Sequence, residues 1–421
     1  MSFVSPNRIL SIYFFLLFLQ LLFGWIFSNT VYASDIEVHG AGIVLFILIW
    51  SIIFLSKGKW IIESPAEVWM PFLIYSLFQS IVNILPYRFI LYGISLAILL
   101  LSVRFKIQNH IPWGIFLFCG IYSIVGIFVQ CFIPDFYYSK ITPLFINNAQ
   151  IEAWGNFSYG YAGFAYQLQV SAMYLILCEG FLLYFFYKQG KPRILVYVLL
   201  LLVVICVFMT GKRTASIISL VVPFLIYAIS VKRKKQSFFL SVVFCLLMSY
   251  IVSNATSLSE TVVFNRIGES VVKAQSGMDI TSGRTILWSK AIDAFWEKPI
   301  FGIGLNNYQA YTGMSTEAHN SYVQILCEEG VVGFLLFIFP LLYCAYITAN
   351  KVKMADSQSA ESGFLKFSLF YQLFFIIFAF TGNPTTNDLS LILYFVAVGI
   401  LCSIQNEAKS WKRESFPSQN A

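Results

Sequence analysis

The sequence predicts an all-α polytopic membrane protein, with about twelve membrane-spanning helices and a long, partly helical extracytoplasmic loop between the ninth and tenth. Three observations predict it. Hydrophobic residues make up 58% of the 421 residues and charged residues only 11%, whereas a soluble domain carries about 25% charged residues. Such a chain cannot cover itself with a wetted surface. The apolar residues come in runs of spanning length, and a run that crosses lipid must be helical, because a helix satisfies its own backbone there. Lys and Arg are also unevenly shared between alternate connections.

The runs fall near 9–28, 40–55, 66–82, 88–103, 111–133, 165–187, 194–210, 214–231, 237–253, 321–348, 363–381 and 386–404. Each approaches the roughly 20 residues that a spanning helix needs. The shortest is 40–55, and Pro86 and Arg88 interrupt a nearly continuous stretch around 82–88. The chain divides accordingly: helices 1–9 over 1–253, an outer loop over 254–320, helices 10–12 over 321–404, and a tail over 405–421.

Of the 27 Lys and Arg, 18 fall on the side of both tails and 9 on the other. Positive residues collect on the cytoplasmic side, so both termini are expected in the cytoplasm. The same bias explains the net charge of +7 without nucleic acid as a partner. Val31-Tyr32-Ala33 has the look of a signal-peptidase site, but the preceding apolar stretch is longer than a signal peptide needs, and a retained helix is the expectation. The eight cysteines lie in or beside apolar runs with no CxxC pair, which reads as packing and not as disulfides or zinc.

Two segments between spans stand out by length, 134–164 and 254–320. Loops this long are usually functional. The first carries Tyr137, Tyr138, Trp154, Tyr159 and Tyr161, aromatic faces suited to stacking. In the second, Ser282-Gly283-Arg284 precedes a helical run that Pro299 stops. Leu287, Trp288, Ala291, Ile292 and Phe295 share one face of it, and Arg284 starts on the same side as Trp288. This helix should rest on the membrane or on the bundle. Arg284 then reads as a snorkelling anchor or as an anion binder. The following Pro299-Ile300-Phe301-Gly302-Ile303-Gly304 lacks the spacing of a dinucleotide fingerprint and reads as a tight turn back to the bundle.

His319-Asn320 stands at the mouth of the tenth span. Its imidazole suits a general base near neutral pH, or simply a helix cap. Glu328 and Glu329 lie about two turns inside that span, where charge is expensive and is usually paired or functional. They could pair with an arginine or hold Asn320 and His319. Lys212 and Arg213 run against the charge bias on the outer side, so they anchor at the interface or meet something negative. With Arg284, Arg213 would make a diphosphate clamp. The outer segments show no DxD and no His/Asp/Glu cluster at ligand spacing, so no metal and no other cofactor is expected.

Taken in order, Gly283-Arg284, Trp288, Pro299 with Gly302 and Gly304, His319-Asn320, and Glu328 or Glu329 with Gly330 resemble the motif of the O-antigen ligase and polysaccharide polymerase family. The motif covers 283–337, about an eighth of the chain. The resemblance implies a bacterial inner-membrane glycosyltransferase acting on the outer face. Its donor would be an oligosaccharide on undecaprenyl diphosphate. Carried over, Arg213 and Arg284 bind the diphosphate, with Arg266 as a further candidate, and His319 is the base. Asn320, Glu328, Glu329, Trp288 and Lys212 support them. The implied mechanism is metal-independent, and a single displacement would invert the anomeric centre. The implied partners are the donor, a glycan acceptor and the bilayer, with a chain-length regulator and a flippase as companions. Polymerisation of O-antigen, capsule or exopolysaccharide repeats is the favoured activity. Ligation of the glycan to lipid A core or another acceptor is the alternative. A precursor transporter or flippase is the alternative from another class, with Glu179 as its main ionisable group inside a span.

Overall fold

The computed structural model describes residues 6–33, 35–56, 65–156, 159–188, 194–230, 272–273, 276, 283–355 and 359–415. Among these the chain is helical, with no strand beyond one isolated bridge, Thr30 to Phe145. The principal helices are α1 (Pro6–Leu19), α2 (Asp35–Leu55), α3 (Ala66–Val82), α4 (Pro86–Arg104), α5 (Trp113–Phe132), α6 (Leu168–Lys188), α7 (Ile194–Met209) and α8 (Arg213–Ser230). After them come α9 (Arg284–Glu297), the short α10 (Tyr308–Thr312), α11 (Ser321–Met354), α12 (Ala360–Phe378) and α13 (Asp388–Ser415).

Seven of the described helices are long and apolar enough to cross a membrane, and four more apolar helices are shorter. They coincide with the expected runs except 237–253, which lies outside the described residues along with most of 254–282. The expected count of about twelve is therefore not established; the all-helical membrane architecture is. α13 is the most enclosed of the seven over Asp388–Gln405. It is apolar all round, as a helix surrounded by others must be. It packs on α4 and α12, and α12 in turn contacts α6, α8 and α11. The two last helices are thus the axis on which the others hang.

The 134–164 segment is pinned to the bundle. Gly163 N donates to Gln130 Oε1 at 2.9 Å, and Tyr161 N donates to the Met209 carbonyl at 2.9 Å. Tyr137 is wholly buried and its hydroxyl donates to the Gly163 carbonyl, so this ring is unavailable for stacking on a sugar, whereas Tyr159 is exposed. Tyr161 thereby braces the Thr210–Lys212 turn that leads into Arg213.

The expected return turn after α9 is present, and it does more than reverse the chain. In an unbroken helix the carbonyls of Cys327 and Glu328 would accept from the amides of Val331 and Val332. α11 breaks at Gly330, whose φ of 67° lies in the left-handed region. Residues 299–304 insert into the break. Ile303 N donates to Cys327 O at 3.0 Å and Gly304 N to Glu328 O at 2.8 Å. In return Val331 N donates to Pro299 O at 2.9 Å and Val332 N to Ile300 O at 3.2 Å. Two helical bonds are replaced by four across the joint. A Cβ on Gly302 would strike the Glu328 carbonyl, and one on Gly330 would strike the Ile300 carbonyl. The spaced glycines of the motif are therefore requirements of close backbone approach.

α9 packs on α11 through a small separate core of Ala291, Ala294, Ile303, Tyr308, Ala318 and Cys327, flanked by Trp288. The apolar face differs from expectation. Ala294 takes the buried place, and Ile292 is exposed with Ile286 and Trp296. Small residues let α9 lie close to α11, which rotates the bulky side chains outward.

The lock at Gly330 is testable. Gly330→Ala should destabilise the protein by about 2 kcal/mol or more, through strain at positive φ and lost backbone hydrogen bonds. Melting of the purified protein in detergent measures this. A variant that melts like the wild type would show that the insertion contributes little.

Candidate active site

Three helix N-termini meet at one end of the bundle: those of α8, α9 and α11. Arg213 opens α8 directly after the Thr210–Lys212 turn. Arg284 opens α9 after Gly283. Asn320 caps α11, its Oδ1 accepting from Tyr322 N at 3.0 Å and Val323 N at 3.2 Å. The cap reading thus belongs to Asn320 and not to His319. His319 just before it has a φ of 51°, a region where His is enriched among larger residues yet strained.

The polar loop between α12 and α13 joins the three. Arg284 Nη1 donates to the Thr381 carbonyl at 2.7 Å, and Thr381 Oγ1 pairs with Thr214 Oγ1 at 2.7 Å. Ser321 N donates to the Ala379 carbonyl at 2.9 Å, and Ser321 Oγ pairs with Thr385 Oγ1 at 3.0 Å. None of the residues of this loop was expected in the site. Its Thr381-Gly382-Asn383-Pro384-Thr385-Thr386 stretch reads as ordinary turn chemistry, so only its density of hydrogen-bonding side chains signalled a further role.

Lys212, Arg213, Arg284 and Trp288 line a cleft of about 340 Å³. Beneath the cations its wall is apolar, formed by Met173 and Ile176 of α6, Ile217 and Ile218 of α8, and Phe374 and Phe378 of α12. Trp288 Nε1 donates to the Ala318 carbonyl at 2.9 Å, which ties the cleft wall to the residue before His319. The cleft has a cationic rim and a greasy floor, the outline of an anionic amphiphile.

Charge and burial act together here. Burial lowers the pKa of Arg284, and the neighbouring Arg213 lowers it further. The imidazole of His319 is half-buried, and burial first and Arg284 second hold it below the ordinary value of 6.5. Glu317 opposes that shift and Lys212 adds to it. His319 is therefore neutral at pH 7 and able to accept a proton. Like charges gathered at helix N-termini run against the macrodipole, which favours anions there. That arrangement is relieved when an anion enters.

The two glutamates of α11 do something other than expected. Among the described residues neither forms an ion pair with an arginine; the pair present is Arg88 with Glu317, at 3.9 Å. Glu328 accepts from Asn306 N at 3.0 Å, Tyr308 N at 3.2 Å and Gln324 Nε2 at 3.1 Å. It holds the chain as it leaves the inserted turn. Glu329 is buried beside Tyr75, whose hydroxyl donates to its carbonyl at 3.3 Å. Arg266 lies outside the described residues. Glu317, two residues before His319, was not singled out, nor were its neighbours Asn383 and Arg88. Asn383 Nδ2 donates to Glu317 Oε2 at 2.7 Å and to Gln324 Oε1 at 2.7 Å.

Three of the polar residues gathered at this end of the bundle fall in one matched stretch. Residues 171–338, which include Arg213, Arg284 and His319, match the family model described as O-antigen ligase. A curated O-antigen polymerase of Salmonella muenchen is 21% identical over 278 residues, covering 64% of this chain and 66% of that protein. The chain thus spans just under two thirds of that relative's length. The ordered motif, the helical membrane bundle and both matches agree, and over residues 171–338 this chain is similar to the O-antigen ligase and polymerase family.

Proposed function

We propose that the protein transfers oligosaccharide from undecaprenyl diphosphate at the outer face of the bacterial inner membrane, joining repeat units of O-antigen, capsule or exopolysaccharide. The observation that carries this is the cleft itself. Arg213 and Arg284 stand over an apolar floor, and a neutral His319 is electrostatically coupled to Arg284. A prenyl diphosphate has the matching anionic head and apolar tail. A cleft of about 340 Å³ takes the head and the first prenyl units, and the rest of the tail lies in lipid. The O-antigen polymerase among its relatives favours polymerisation over ligation. In this reading the cleft faces away from the cytoplasm and both termini face into it.

The chemistry is a single displacement. His319 takes the proton of an acceptor hydroxyl as its oxygen attacks the anomeric carbon. The bond from that carbon to the diphosphate oxygen breaks, and the diphosphate departs carrying the electron pair. Arg213 and Arg284 stabilise the charge that grows on it, with two parallel donors each. The proton remains on His319 until solvent removes it. Attack opposite the leaving group inverts the anomeric centre. Guanidinium groups supply the neutralisation that a metal supplies elsewhere, which makes the step metal-independent.

Two outcomes test the proposal. His319→Ala should lower transfer by roughly 10²–10⁴-fold, the usual contribution of a positioned base. The source strain should then accumulate single-repeat products, seen as loss of the ladder on gels. Long lipid-linked chains would instead identify a ligase. An unchanged ladder with normal protein levels would remove His319 from the mechanism.

The second is pH dependence. The base must be neutral, and its pKa is depressed, so kcat/KM should stay level as pH falls through 6.5 and decline only below it. A bound diphosphate offsets the charges of Arg284 and Lys212, so the acid limb of kcat should lie at higher pH than that of kcat/KM. Coincident limbs, both above 6.5, would contradict the electrostatic account.

A further inference from the structure

The geometry points to a second subsite beside the cleft, in which Glu317, held by Asn383 and Thr386 and faced by Arg88, receives a hydroxyl of the acceptor sugar. This deepens the function proposed above and rests on it.

The cleft lined by the two arginines includes neither Glu317 nor Arg88. Glu317 precedes His319 by two residues and shares the loop that presents the imidazole. The diphosphate leaves toward Arg284, so the attacking hydroxyl must reach His319 from another side. Glu317 is the charged group that meets it there.

The carboxylate is fixed from behind and open in front. Oε2 accepts from Asn383 Nδ2 at 2.7 Å and from Thr386 Oγ1 at 3.0 Å. Asn383 is itself tied through Gln324 to Glu328, the residue that fastens the inserted turn. Oε1 faces Arg88 Nη2 at 3.9 Å, too far for a hydrogen bond. A structural ion pair between these groups would close to about 2.8 Å and use both oxygens. Here the Glu317 side chain keeps 31% of its surface exposed. Arg88 is nearly enclosed at 11%, and its buried Nη1 has no protein partner.

A part-exposed carboxylate with one oxygen outside hydrogen-bond reach of any neighbour, backed by an enclosed guanidinium, suits a sugar hydroxyl. One sugar hydroxyl donates to Oε1. The ligand class is therefore a hydroxyl-rich glycan end, separate from the anionic head of the donor. Preorganisation by Asn383 and Thr386 removes the ordering cost that a free glutamate would incur.

The test uses the full chain in nanodiscs, with Glu317→Gln. Lipid-linked oligosaccharide extracted from a strain lacking the protein is the donor. The same oligosaccharide, freed from its diphosphate by mild acid, is the soluble acceptor. The apparent KM for the soluble acceptor should rise about tenfold, the loss of one charge-assisted hydrogen bond. At saturating acceptor, kcat should stay within roughly threefold of wild type. Thermal stabilisation by undecaprenyl diphosphate alone should be unchanged. An unchanged KM, or a fall in kcat without a change in KM, overturns the subsite. Loss of the undecaprenyl diphosphate response in the same variant also overturns it, since Glu317 would then be supporting the cleft. Should Glu317→Gln not accumulate, Thr386→Val removes one prop of the carboxylate and is read by the same criteria. If the wild type neither transfers nor responds to undecaprenyl diphosphate, the function itself fails. An active wild type with a normal KM in the variant sinks the subsite alone.

Discussion

The site depends on a helix being interrupted in a place where interruption is expensive. At Gly330, α11 frees two carbonyls and two amides inside a bundle with little water to satisfy them. Only another stretch of backbone presents donors and acceptors at the spacing they need, and residues 299–304 do so. The joint then determines everything carried after it. Glu328 fastens Asn306 and Tyr308, and Tyr308 packs into the small core under α9 and donates to the Leu287 carbonyl at 2.8 Å. Trp288 of α9 closes the circuit at Ala318. His319 is the next residue. Its position follows from backbone satisfaction several turns away, so the glycines and the glutamate of the motif act on the site without touching it.

Charge in the cleft obeys a different economy. Lys212 and Arg213 at the start of α8, and Arg284 at the start of α9, oppose the macrodipoles of their own helices. Arg213 and Arg284 also disfavour each other's charge. The folded protein carries this tension, and an anion binding to the folded state relieves it. Burial first, and then the same positive field, holds the pKa of His319 down. If the anion is the donor's diphosphate, its arrival makes the imidazole a stronger base only once there is something to react with.

Much of this was legible in the sequence, and the failures have physical causes. Spanning helices announce themselves by composition, because lipid admits few alternatives. Arg213, Arg284 and His319 stood out as polar residues at odds with their surroundings. Glu328 was seen for the same reason and misread, since an acid in lipid suggests an ion pair, whereas here backbone amides satisfy it. The apolar face of α9 was misplaced because periodicity weighs bulk, while close packing selected Ala291 and Ala294. The loop between α12 and α13 was missed altogether. Thr381 lies 97 residues from Arg284 and 167 from Thr214, and Asn383 lies 66 from Glu317. No local pattern encodes pairings at such separation.

That loop explains why groups from three separate helices hold a common geometry. A side chain at a helix N-terminus is only as well placed as whatever its first turn rests on. The turns of α8, α9 and α11 all bond to residues 379–385. Those residues emerge between α12 and α13, at the axis of the bundle. Lateral elements such as α9 leave Ile286, Ile292 and Trp296 exposed and have less packing to hold them still. Had the arginines and the histidine been positioned only by their own helices, motion of α9 would move Arg284 relative to Arg213. Anchored to the Thr381 carbonyl and hydroxyl, the starts of α8 and α9 move together with the core, and their two guanidinium groups share one foundation.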